Sequence, residues 1–299
     1  MCAIKISLAT YRFEGKNDTI IFYLDFSSLI ERCPSMLINR RTAVKAIAAV
    51  ALARPAIAQT TIDWSALALE DTDAPRIPDA LKGFEDQPSV SGPITGYQPF
   101  GTHPPQPDEE ILANKVLDKA PTNCSPVEVA LYFLDVAAGK YGDDLRPYTT
   151  AWPVRWNPVI VKFFTTTSTT PSGDTTAWCA AFVNYCLIQS AIGRKQISGA
   201  ADPTYSAASS SFRSWSTKID LDKRRPGDVV VFQSKSSPGH GHVGFFVAED
   251  AKRPGNIIVL GGNQFEGSPV RHAINRKSLA TDGGVLKVHS YRTDPQLHA

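Results

Sequence analysis

Two residues stand where covalent chemistry is feasible: a cysteine in the first turn of an apolar helix and a histidine that opens a strand. The spacing predicts a helix over 177–192, closed by Gly193. Along it Cys179, Phe182, Val183, Cys186, Leu187 and Ser190 recur at i, i+3, i+4, i+7, i+8 and i+11, one buried stripe. Cys179 lies in the first turn, where unpaired N–H groups and the helix dipole favour a thiolate. Its thiol is therefore expected to be acidic and to alkylate well below about pH 8.5, with Cys186 inert in the core. A bridge between the two is excluded, because seven helical residues separate their Cα atoms by roughly 10 Å, beyond the reach of a disulfide.

A cysteine nucleophile needs a base and the base an orienting partner. The histidines after the helix are His240, His242, His272, His289 and His298. His242 begins the run HVGFFV, and Gly244, on the same face, is expected to clear space beside the imidazole. Asn263, in the segment GGNQ after the apolar run 257–260, is the expected third partner, with Gln264 as the fallback. Either amide can accept from a ring N–H and so fix the tautomer. His240 and His242 with a cysteine could bind zinc, but neither CxxC nor HExxH is present, and no metal or cofactor is expected.

These residues must be positioned by a scaffold. Upstream, helical spacing over 109–120 and 126–141 predicts two helices, with Ser125 as N-cap and Pro126 in the first turn. Downstream the pattern changes to strands over 229–232, 242–248, 256–260 and 285–291. Helices ahead of consecutive short strands argue for an α+β domain, the nucleophile helix packed on an antiparallel sheet. Tyr148, Trp152 and Trp156 could line a groove or fill the core.

The blocks WCAAFVNYCL (178–187), RPGDVVVF (225–232), GHVGFFV (241–247) and VLGGNQ (259–264), in this order, resemble the CHAP group of cysteine, histidine-dependent amidohydrolases and peptidases. The resemblance is greatest to a small exported bacterial branch and covers roughly residues 157–291. It implies a papain-like fold and hydrolysis of amide bonds in peptidoglycan or its stem peptides, with Cys179 as nucleophile and His242 as base. Many members carry Glu where Asn263 is placed. A non-catalytic wall-binding protein of the same fold, or a secreted amidase with another substrate, are the alternatives.

The front of the chain reads as an address. Arg40-Arg41 and Lys45 form a basic head, residues 46–53 a short apolar run, and Ala56-Ile57-Ala58 a cleavage signature, so 36–58 resembles a twin-arginine export signal. Met36 stands where a start is expected, and residues 1–35 read as an upstream start. Residues 59–108 lack a period and hold six prolines between 88 and 107, the mark of a linker or of a strap on the catalytic domain at 109–299. The expected location is periplasmic or extracellular, with no stable membrane span after signal removal.

Charge closes one further class. The net formal charge is +2, and residues 1–58 carry eight basic against four acidic side chains, leaving 23 basic and 25 acidic in the remainder. A near-neutral body lacks the basic face that nucleic acid requires.

Overall fold

The computed structural model describes residues 62–71, 76–82, 101, 103–267 and 271–299. Residues 36–58, read above as resembling an export signal, residues 1–35, read as an upstream start, and much of the Pro-rich stretch at 59–108 lie outside the described residues.

The helices are α1 (Trp64–Leu67), α2 (Pro107–Asp118), α3 (Pro126–Ala137), α4 (Pro158–Phe163) and α5 (Cys179–Ala191). Their starts are written in the sequence. Proline begins α2, α3 and α4, where its missing N–H costs nothing. Ser125 and Glu128 form a reciprocal capping box at α3: the Ser125 N–H donates to Glu128 Oε2 at 2.7 Å, and Ser125 Oγ accepts from the Glu128 N–H. Asn157 Oδ1 caps α4 by accepting from Val159 N–H at 2.9 Å. At α5 no side-chain oxygen caps the helix; Trp178 is the N-cap and Cys179 the first helical residue.

Among the described residues six antiparallel strands follow: β1 (Thr217–Ile219), β2 (Val229–Ser234), β3 (Gly241–Glu249), β4 (Asn256–Glu266), β5 (Arg271–Ala280) and β6 (Leu286–Thr293). They form one sheet in the order β1-β6-β2-β3-β4-β5. The architecture is α+β, consistent with a papain-like arrangement. Alternation sorts the strands onto two faces. Val243, Phe245, Val247, Ile258 and Leu260 join the large core shared with α3, α4 and α5. Val230, Phe232, Phe246, Ile257, Val259 and Tyr291 form a smaller cluster on the other face. Phe133, Phe163 and Phe182 meet edge to face at 5.3–5.8 Å and tie α5 to α3 and α4, each pair worth about 0.5–1.5 kcal/mol beyond its buried area. Tyr148 and Trp152 are fully buried in this core, so of the aromatic trio two are packing residues.

Ahead of α2, the segment 62–71 lies along the sheet as a strap. The Asp71 N–H donates to the Arg276 carbonyl at 3.0 Å, and the Arg276 N–H returns a bond to Asp71 Oδ2 at 2.6 Å. The Arg276 guanidinium also grips the Asp71 carboxylate. Trp64 rests over Gly227 in the turn before β2. Among the described residues, no helix is long and apolar enough to cross a membrane.

Candidate functional site

Cys179 is 3% exposed at the first position of α5. The N–H groups of Val243, Ala180 and Cys179 itself point at its sulfur, yet burial outweighs them and pushes the thiol up to about 11. The expected acidic thiol is thus corrected. Dipole and amide donors favour a thiolate by amounts that desolvation of a sealed sulfur exceeds. Cys186 is fully buried and its thiol is pushed up by burial as well, as a core residue should be.

The Val243 contact fixes where the cysteine lies, because Val243 is the residue after His242. His242 is 7% exposed at the start of β3, paired with Phe232 of β2, whose ring stands 6.1 Å from the imidazole. Burial lowers its pKa to about 4, against a smaller upward push from the Gln264 hydrogen bond. At rest, then, the thiol and the imidazole are both neutral.

The partner of His242 is Gln264. Its Oε1 lies 3.3 Å from His242 Nε2. The orientation of the amide is settled by its other end: Nε2 of Gln264 is surrounded by oxygens only, Asn275 O at 2.7 Å, Asn275 Oδ1 at 2.9 Å, Val259 O at 3.2 Å and Gly261 O at 3.3 Å. The NH₂ group must face these acceptors, so Oε1 faces the ring and His242 Nε2 carries the proton. Nδ1 is left unprotonated.

Asn263, expected in this role, is turned elsewhere, and the reason is one extra residue. On β5 the partner positions run Asn275 to Ala273, while on β4 they run Gly261 to Gln264, three steps against two. Alternation alone would put Asn263 on the Gly261 face beside His242; the bulge shifts the parity and puts Gln264 there. Asn263 takes a left-handed backbone at φ 60, which Asn tolerates. Its Oδ1 bonds His272 Nδ1.

The glycines are likewise reassigned. A Cβ on Gly244 would strike Val259 and the Leu260 carbonyl, so that glycine admits β4 and does not serve the imidazole. Space beside the ring comes from Gly261, where a Cβ would lie 3.4 Å from both His242 Nε2 and the Gln264 amide carbon. Gly262 is pressed on the Trp178 indole, where a Cβ would come within 2.3 Å of a ring carbon. Asp174, five residues before Cys179, is buried and accepts N–H bonds from Trp152 at 2.9 Å and Asn157 at 2.7 Å. Burial raises its carboxyl well above the carboxylate range.

His240 stays in the loop before β3, where its carbonyl accepts from Arg213. Among the described residues, no group of three His, Cys, Asp or Glu side chains could hold a metal ion.

Residues 171–263 match the family model of the CHAP domain, and the matched span includes Cys179 and His242. Over that span the chain is similar to CHAP domains. Gln264, in contact with the histidine, falls one residue beyond the match. No curated protein and no solved structure gives a match to the chain. CHAP domains are in general cysteine- and histidine-dependent amidases and peptidases, and hydrolysis of an amide bond is the activity that the family implies here.

Proposed function

We propose that this protein is an exported cysteine hydrolase that cleaves amide bonds of bacterial peptidoglycan through Cys179, His242 and Gln264. The observation that carries the reading is the junction of α5 with β3. There the Val243 N–H reaches the Cys179 sulfur, and the residue before it, His242, has its Nε2 proton tied to Gln264. Export is supported by the basic head, short apolar run and small-residue signature at 39–58.

In this reading the Cys179 sulfur bonds to the amide carbonyl carbon as its proton passes to His242 Nδ1. The C=O electron pair moves to oxygen, where N–H groups of the first turn of α5 receive the charge. Collapse of that intermediate breaks the C–N bond, and His242 returns the proton to the leaving amine. Water, deprotonated by the same nitrogen, then attacks the thioester carbon and releases the carboxylic acid and the thiol. Because the resting pair is neutral, proton transfer and attack are coupled, and Gln264 contributes by holding the tautomer that leaves Nδ1 available.

Digestion of purified peptidoglycan with the products read by mass spectrometry tests the reading and identifies the bond cut. Wild type should release soluble fragments and Cys179→Ala none. Equal release by the two proteins would remove the cysteine from the mechanism. Binding without release by wild type would favour a wall-binding role.

A further inference from the structure

The bulge that withdraws Asn263 from His242 gives it a partner of its own. His272 stands on β5, 6% exposed, and its Nδ1 meets Asn263 Oδ1. The Phe265 ring packs on the imidazole at 4.6 Å, and the His272 carbonyl accepts from Ala151 N–H at 2.8 Å. Burial pulls His272 down to about 4, so the ring is neutral, and facing an amide oxygen its Nδ1 is the donor. With Oδ1 accepting that proton, Nδ2 of the same planar amide points the other way. It has no acceptor among the described residues. Asn263 as a whole is only 9% exposed.

The neighbours on either side place that donor. Gly262 is pressed against Trp178, the residue before Cys179, and Gln264 holds His242. An amide with its oxygen occupied, its N–H unclaimed and its flanks set against Trp178 and His242 suits an oxygen acceptor such as a carbonyl. We propose that Asn263 Nδ2 donates to the carbonyl oxygen of the acyl group under attack and to the oxyanion that forms there, with His272 as the positioning residue that aims it. The inference deepens the hydrolase reading above and rests on it.

Two reagents separate an oxyanion donor from a structural residue. p-Nitrophenyl acetate acylates a thiol through a tetrahedral oxyanion and expels p-nitrophenolate. Iodoacetamide alkylates it by displacing iodide from a saturated carbon, with no oxyanion. In Asn263→Ala the acylation rate should fall on the order of 10²- to 10³-fold, while alkylation of Cys179 stays within about twofold. Asn263→Asp should lose acylation equally, since a carboxylate has no N–H to give. His272→Ala should slow acylation by about tenfold or more, and should add nothing in the Asn263→Ala background. His272→Gln, whose amide N–H can replace Nδ1–H, should recover most of the rate. Wild-type acylation in Asn263→Ala or Asn263→Asp overturns the proposal. So does a parallel loss of alkylation, which would mean a displaced thiol. If neither reagent modifies Cys179 in wild type, the hydrolase reading itself falls and this inference with it.

Discussion

Substituting Gln264 by Glu should weaken the protein, although a carboxylate beside an imidazole is a common catalytic arrangement. The two N–H groups of the Gln264 amide serve four oxygens, from Val259, Gly261 and two on Asn275, at 2.7–3.3 Å. An ionised carboxylate offers none of these donors and turns an oxygen toward buried acceptors. Losing two hydrogen bonds at about 1 kcal/mol each, with buried carbonyls left unsatisfied at about 1–3 kcal/mol, gives a loss of roughly 3–5 kcal/mol at neutral pH. Protonated, the new side chain regains one O–H donor, and the loss should shrink to about 1–2 kcal/mol. The gap of roughly 2–3 kcal/mol corresponds to a folded-state pKa raised by about two units above 4.3. A group raised on folding contributes most below its unfolded pKa, so the penalty should grow between about pH 4.3 and 6.5 and then level. Urea unfolding of both proteins at about pH 4.5 and 7.5 measures this directly. A loss below about 1 kcal/mol at pH 7.5, or one that does not change with pH, would show that the amide does not point where the acceptors are.

Other perturbations discriminate further. His242 and His272 are both held near 4 by burial, against about 6.5 unfolded. Stability should therefore be fully present above pH 6.5 and drain as pH falls toward 4, by at most about 1.4 kcal/mol per pH unit for each ring. Asp174, raised by burial, opposes this, so His272→Gln should flatten the acid side and Asp174→Asn steepen it; denaturant unfolding across that range would show neither if the rings are solvated. Gly262→Ala drives a methyl into the Trp178 indole and should cost on the order of 2–4 kcal/mol with a heavy loss of activity, whereas an unchanged melting temperature would place Trp178 elsewhere. His242→Ala should be nearly as inactive as Cys179→Ala and the double variant no worse, with Gln264→Ala retaining more, on the order of ten- to a thousand-fold below wild type; additive losses in kcat/KM would deny that the residues act as one unit.

The scaffold was legible where local rules decide it. Ser125 and Glu128 announce α3, Gly193 ends α5, and the blocks from 229 onward alternate as strands do. The places of Cys179 at a helix start and of His242 at a strand start were legible because both are local features. The third position was not, because parity along β4 depends on one bulged residue, and pairing with β5 is what reveals it. Gly261-Gly262-Asn263 is a signal for such a bulge, since these residues tolerate unusual backbone, but the signal does not say which neighbour changes face. The thiol pKa also escaped a local reading: the helix terminus is visible in sequence, whereas the burial that overrides it comes from packing in the core shared with the sheet.

The strap has a consequence for association between copies of the chain. β5 is the last strand of the sheet, and its outer side would present free N–H and C=O groups as a template for another extended chain. Asp71 occupies that side at Arg276 with one backbone and one side-chain bond, imitating a single rung of a seventh strand. Its carboxylate adds a charge at the rung, a feature that discourages a further strand from docking. Residues 62–71 therefore act as a guard on the sheet's open border. Thr150 and Ala151 cover the same border further along, at Ala273 and His272, so a chain trimmed of 62–71 should open only the stretch around Arg276 to another extended segment.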